Sequence, residues 1–257
     1  MNYSDKLLKL KDYAGEDEVV TSFDIKHELS TQEKPIKCYT GFAELDMADS
    51  MDGMEAGELI VLSGPRKNGK TLFGQTITEN LYKDDVQCLW FSFELTPRQF
   101  IDRFPNLPVF MMPKKMKAYA LDWLKERILE GIVKFGISVV FIDHLHFLFD
   151  MARVRNVSLE IGQVIRQLKT LAIELNLVIF LMCHTNKIQA IQNDMSDDAL
   201  RDSSFVSQES DACLMIWRLK DTMNRACVKL CYSRRTGAWE KSFQLYKING
   251  LLREYHE

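Results

Sequence analysis

"ELIVLSGPRKNGKTLFGQTITENLYK", residues 58–83, joins two unlike patterns through a short polar loop. The run 58–63 is apolar and β-branched and reads as a buried strand. The run 71–83 reads as a helix. Between them lies "GPRKNGKT", Gly64 to Thr71, which fits the spacing G-x-x-x-x-G-K-[ST]. A loop of this kind between a strand and a helix lets backbone N–H groups close round phosphates, and the positive end of the helix points at them. Lys70 then reaches the β and γ oxygens of a nucleoside triphosphate, and the Thr71 hydroxyl holds Mg²⁺. The nucleotide-binding set is Gly64, Pro65, Arg66, Lys67, Asn68, Gly69, Lys70, Thr71 and Leu72. Arg66, Lys67 and Asn68 are unconstrained by the motif. They either add charge near the phosphates or face solvent.

The same alternation continues outward. Strands are expected at 87–93, 137–143, 177–183 and 211–217, with helices over 97–104, 117–135 and 158–175 between them. Ser158 stands where it can cap the last of these. Continuous apolar strands separated by helices predict an α/β fold, a mostly parallel sheet with helices on both faces. After 217 the pattern changes. "ACVKLCYS", "KSFQLYK" and "LLREY" alternate, and "RRTGAW" and "ING" link them, so a C-terminal antiparallel β extension is expected. Asn249–Gly250 is a strong hairpin turn. Residues 1–38 are polar and weakly patterned and form an N-terminal extension to a domain at 39–257. Within the extension "SDKLLKLKDY" allows a short amphipathic helix, either a frayed end or a helix that docks on a neighbouring subunit.

The chain of 257 residues is 46% hydrophobic, enough for a full core, and carries a net charge of −3. That balance excludes a bulk electrostatic grip on nucleic acid. Any such contact must use a few basic side chains gathered in one place. The six cysteines form no C-x-x-C pair and mostly lie in apolar runs, as reduced thiols do. No secretory leader is evident, and no stretch is long and apolar enough to span a membrane. A cytoplasmic protein is expected, in the host cytoplasm if phage-encoded.

Four further positions bear on hydrolysis. "SVVFID" ends in Asp143, a carboxylate at the strand edge where ligands of an open α/β sheet gather, and so a second metal-holding group. Glu94 directly follows strand 87–93. It either activates water or favours the N-terminus of the next helix, for which Thr96 and Pro97 look like cap and first turn. His184 follows strand 177–183 and is either a γ-phosphate sensor or a satisfied strand-end histidine. Arg234 and Arg235 occupy the late hairpin turn, as a solvated pair or as an arginine finger toward another subunit's nucleotide.

In this order the residues resemble the RecA-like motor domain of DnaB-type replicative helicases, from about Thr40 to Tyr255. "TGFAELD" with "GELIVLSGPRKNGKT" is similar to the family's entry and phosphate loop, "FSFEL" to its second strand, "FIDHL" to its Walker B strand, and "YSRRTG" to its arginine-finger hairpin. "SLEIGQVIRQLKTLAIELNLVIFLMCHTNK" and "LRDSSFVSQESDACLMIWR" are similar to its long helix, sensor strand and the stretch that follows. The resemblance implies catalytic roles for Glu94, Lys70, His184 and Arg235, with Arg235 acting from a neighbour. Many members have Gln at the place of His184, Lys at Ser233 and Gly at Ser204. Only about forty residues precede the motor region, so a minimal, phage-type motor without the primase-binding N-terminal domain is expected.

The resemblance further implies a homo-oligomer, a hexameric ring with ATP and Mg²⁺ at its subunit interfaces. Single-stranded DNA would pass through the centre, and a separate primase or loader is a further partner. The DNA would meet loops 144–158 and 185–204, through Arg153, Arg155, Lys187, Arg201, Asp202 and Ser204. Their mixed charge suits weak backbone contacts and not base reading. The function expected is that of an ATP-dependent DNA helicase. The alternative is a RadA- or RecA-like recombinase or regulatory ATPase that does not unwind. A non-enzymatic loader-like relative is a third reading, opposed by the intact set Gly69, Lys70, Thr71, Glu94 and Asp143.

Overall fold

In a computed structural model the chain divides into two units, Met1–Pro35 and Ile36–Glu257. The structure describes residues 3–15, 17–31, 37–149, 156–184, 209–219 and 224–254. The first unit holds helices α1 (Tyr3–Lys11) and α2 (Ser22–Thr31). Thr21 and Asp24 cap α2 reciprocally: the Asp24 N–H donates to Thr21 Oγ1 at 3.2 Å and the Thr21 N–H to Asp24 Oδ2 at 3.0 Å. Leu7, Leu8 and Leu10 of α1 are exposed, and α2 buries no side chain.

The second unit runs β1 (Lys37–Cys38), α3 (Ala43–Asp46), β2 (Met54–Glu55), β3 (Leu59–Ser63), α4 (Lys70–Lys83), β4 (Cys88–Ser92), α5 (Pro97–Ile101), α6 (Leu121–Phe135) and β5 (Val139–Asp143). A 3₁₀ turn follows at Leu145–Phe147. Then come α7 (Val157–Glu174), β6 (Val178–Met182), β7 (Ala212–Arg218), β8 (Arg225–Ser233), β9 (Trp239–Ile248) and β10 (Leu251–Glu254). Their order in the main sheet is β10-β9-β8-β7-β3-β6-β5-β4. Strands β4, β5, β6, β3 and β7 pair parallel, and β8, β9 and β10 extend the sheet antiparallel. The small pair β1–β2 stands apart as an antiparallel two-stranded sheet.

Alternation along each strand sends side chains into two separate cores. Leu59, Val61, Val140, Ile142, Ile179 and Leu181 face α6 and α7, where Leu124, Ile128, Ile165 and Leu168 meet them. Ile60, Leu62, Trp90, Phe141, Phe180 and Met182 face α4, whose Phe73, Ile77 and Leu81 close that layer. Trp90, Phe141 and Phe180 stack across three adjacent strands, with ring centres 4.5 and 4.8 Å apart. The parallel strands are therefore apolar throughout because both faces are covered.

Local details depart from expectation in two places. Asn156, not Ser158, caps α7: its side chain accepts the N–H groups of Ser158 and Leu159, and Ser158 lies in the first turn. Helix α6 starts at Leu121 because 117–120 form a turn in which Tyr119 takes φ 57°. The Asn249–Gly250 turn joins β9 to β10 with φ 50° and 87°, as the left-handed pair of a tight hairpin requires. All six cysteines are unbridged. Among the described residues no helix is long and apolar enough to cross a membrane.

Candidate nucleotide site

The site stands at the carboxyl ends of the parallel strands, beside central strand β3. There β3 ends at Ser63, the chain turns through 64–69, and α4 begins at Lys70. Two glycines make the turn possible. Gly64 has φ 144°, and a Cβ there would lie 2.2 Å from the carbonyl oxygen of Ile216 on neighbouring β7. Gly69 takes φ 101° at the N-cap of α4. The Asn68 side chain braces the loop, donating to the Arg66 carbonyl at 2.9 Å and accepting the Arg218 N–H at 2.9 Å. Arg66 and Lys67 are exposed.

Lys70 is buried, and its ammonium donates to the Gly64 and Pro65 carbonyls at 2.8 and 3.0 Å. Burial draws its pKa down to about 8. Thr71 Oγ1 donates to Asp143 Oδ2 at 2.7 Å, bringing together residues 72 positions apart. Asp143 is 1% exposed. Burial pushes its carboxyl up to about 6, and the Thr71 hydrogen bond opposes this only in part. A buried carboxylate and a hydroxyl form a hard-oxygen pair of the kind that suits Mg²⁺ with retained waters, and a cation would relieve the uncompensated burial.

Glu94 sits at the same edge. The Phe93 N–H donates to the Asp143 carbonyl at 2.8 Å, fastening the ends of β4 and β5 together. Thr96 caps α5 with Gln99 as reciprocal partner and Pro97 in the first turn. Glu94 itself turns away from that helix. Its Oε1 lies 2.9 Å from His144 Nε2 and 3.1 Å from His184 Nε2. Partial burial works to raise the Glu94 pKa, but the His184 hydrogen bond and the charges of His144 and Lys70 outweigh it and hold it below the ordinary value. Burial lowers both imidazoles, His144 to about 4, so near neutrality they are uncharged and Glu94 is the ion.

A cavity of about 850 Å³ opens here, lined by Gly69, Lys70, Thr71, Glu94, Asp143 and His184 among others. The sequence reading passed over His144, which the sheet edge places against Glu94, and over Arg103, Arg218 and Lys247, which also line the cavity. "FIDHLH" offered a signal for His144, since it follows the strand-end aspartate directly, but its partner is fifty positions upstream.

Arg235 lies elsewhere. It follows β8 and binds the residues that precede β3, at the amino end of the sheet. Nε meets Glu58 at 2.7 Å, and Nη2 donates to the Met51 and Gly53 carbonyls at 2.7 and 2.8 Å. A five-residue strand spans about 16 Å, so within one chain Arg235 does not reach the phosphate loop. Arg153, Arg155, Lys187, Arg201, Asp202 and Ser204 lie outside the described residues.

This topology, with a glycine loop at the end of a central parallel strand, a carboxylate on β5 and an antiparallel extension, defines a RecA-like P-loop fold. A family model described as the DnaB-like helicase C-terminal domain matches residues 38–121 and 106–238, and the chain belongs to that family. It is 24% identical to the replicative DNA helicase DnaB of Buchnera aphidicola, over 70% of this chain and 46% of that protein. Against DnaB of Haemophilus influenzae it is likewise 24% identical, over 77% and 50%. The chain thus spans about half the length of the curated relatives it matches. Among solved structures, one isolated ATPase domain superposes with TM-score 0.71 at 19% identity, over 91% of this chain and 97% of that one. A DnaB-like replicative helicase studied with primase gives 0.70 at 18%, over 98% and 71%.

Proposed function

We propose that the chain is the ATP-hydrolysing motor of a ring-shaped DNA helicase. The observation that carries this is the gathering of Lys70, Thr71, Asp143, Glu94 and His184 at one cavity. Lys70 exchanges its two loop carbonyls for phosphate oxygens, keeping its hydrogen bonds while gaining an opposite charge. Thr71 and Asp143 would hold Mg²⁺, which when bound neutralises charge on the β- and γ-phosphates. Glu94, ionised and held by two imidazoles, orients a water and takes its proton as the oxygen attacks the γ-phosphorus and the bond to the ADP oxygen breaks.

His184 ends β6 and immediately precedes 185–204, the stretch proposed with 144–158 to meet single-stranded DNA. A change at the γ-phosphate that releases His184 from Glu94 would pull on that stretch. Arg235 serves the nucleotide of a neighbouring subunit in a hexamer, and a primase or loader is a further partner. Assay of forked-duplex unwinding tests the reading: the wild type separates strands with ATP and Mg²⁺, and Lys70→Ala does not. ATP-dependent filaments with no strand separation would favour the recombinase reading instead.

A further inference from the structure

His144 immediately follows the β5 carboxylate, is 5% exposed, and makes a contact that the helicase reading leaves unused. We infer that His144 is a positioning residue whose Nε2–H holds Glu94 in the orientation that activates water. The inference rests on the hydrolase reading of this site.

The two ring nitrogens have opposite surroundings. Nδ1 accepts the backbone N–H of His146 at 3.3 Å, because His144 is the N-cap of the 3₁₀ turn Leu145–Phe147. The His146 ring nitrogen Nδ1, 3.2 Å away, can add a second donor to the same atom. A ring nitrogen that accepts carries no proton, so the single proton of the neutral imidazole is on Nε2. That atom faces Glu94 Oε1 at 2.9 Å. The ring is seated against Phe147 and His184, with centres 5.1 and 4.3 Å away.

His184 reaches the same Oε1 at 3.1 Å, which leaves Oε2 to accept from a water. The two histidines are not equivalent. His144 is satisfied at both nitrogens, whereas the buried Nδ1 of His184 has no partner among the described residues. His144 is the fixed donor, and His184 is the one that can leave when it answers to nucleotide.

Glu94, His144 and His184 also present ligand atoms within 4.8 Å of one another, the composition of a two-histidine, one-carboxylate metal site. Coordination through His144 Nε2 would move its proton to Nδ1, against the His146 backbone N–H. Two donors would then face each other, so the hydrogen-bonded arrangement is the favoured one.

Three measurements on the full chain test this. Long-range ¹H–¹⁵N spectra at neutral pH should show His144, assigned by its loss in His144→Gln, as the Nε2–H tautomer; the Nδ1–H tautomer would overturn the inference. His144→Leu should lower kcat about 10- to 100-fold with little change in KM for ATP. His144→Gln, whose amide nitrogen lies near the place of Nε2, should recover most of the loss. In a Glu94→Gln background His144→Leu should add nothing. A kcat unaffected by His144→Leu, or equal losses for Leu and Gln, would sink it. So would Co²⁺ d–d absorption that disappears in His144→Gln, which makes the cluster a metal site. If the wild type binds nucleotide without turnover, the hydrolase reading fails by itself, and the tautomer still decides whether His144 donates to Glu94.

Discussion

Asp143 concentrates the electrostatic problem of the site in one carboxyl. Its folded pKa of about 6 lies above the ordinary 3.8, so folding favours the protonated form. The stability this contributes is present below the ordinary value and is lost as pH rises through about 6. Near pH 7.5, without cation or nucleotide, the ionised group costs on the order of 3 kcal/mol. Asp143→Asn should therefore raise the thermal midpoint of the free protein by a few degrees at pH 7.5. The gain should shrink toward pH 5, where the aspartate takes up its proton, and ATP hydrolysis should be lost. A midpoint that falls at pH 7.5, or a gain that does not depend on pH, would contradict this account. Lys70 and Thr71 were legible from the loop spacing alone. Asp143 and Glu94 were legible as strand-end carboxylates. The hydrogen bonds of Glu94 to His144 and His184 were not, because they depend on how β4, β5 and β6 lie side by side.

Among the elements, the β8–β9 turn shows a side chain used structurally where the sequence suggests chemistry. Besides Glu58, the Arg235 guanidinium meets Glu55 at 3.3 Å and Asp52 at 3.6 Å. Thr236 Oγ1 donates to the Ser50 carbonyl at 2.5 Å, so the turn is pinned to the segment between α3 and β2. Removing the guanidinium strands Glu58, whose side chain is 12% exposed. Arg235→Ala should thus cost about 2 kcal/mol and lower the thermal midpoint even without nucleotide. An unchanged midpoint would mean that the clamp contributes nothing. Nothing local in "YSRRTG" announces this, since Glu58 lies 177 positions away. The parallel strands were readable because double-sided burial makes them uniformly apolar. The two-residue strands β1 and β2 were not, being too short to carry a pattern. Helix α2 escaped notice because no apolar face marks it; its start is set by the reciprocal Thr21–Asp24 cap.

At the scale of the molecule, Arg235 and the phosphate loop occupy opposite ends of the sheet, so the proposed arginine can serve nucleotide only across a subunit boundary. Mixing two inactive variants tests this. Lys70→Ala lacks a working loop, and Arg235→Ala lacks the arginine. In a random mixed ring about a quarter of the interfaces pair an intact loop with an intact arginine. ATPase activity should therefore reappear on mixing, although neither variant has it alone. Activity that stays absent in rings of confirmed mixed composition would remove Arg235 from the neighbour's site. The sequence by itself determined the strand–loop–helix at 58–83, the alternation of strands and helices, the closing hairpin at Asn249–Gly250 and the family, because each is written in local spacing and periodicity. Only the tertiary structure decided that Glu94 is gripped by two imidazoles, that Asp143 is almost wholly buried and that Arg235 is clamped far from the loop. Those facts depend on strand register and on which residues the sheet brings to the same edge, and neither is encoded in any one stretch of chain.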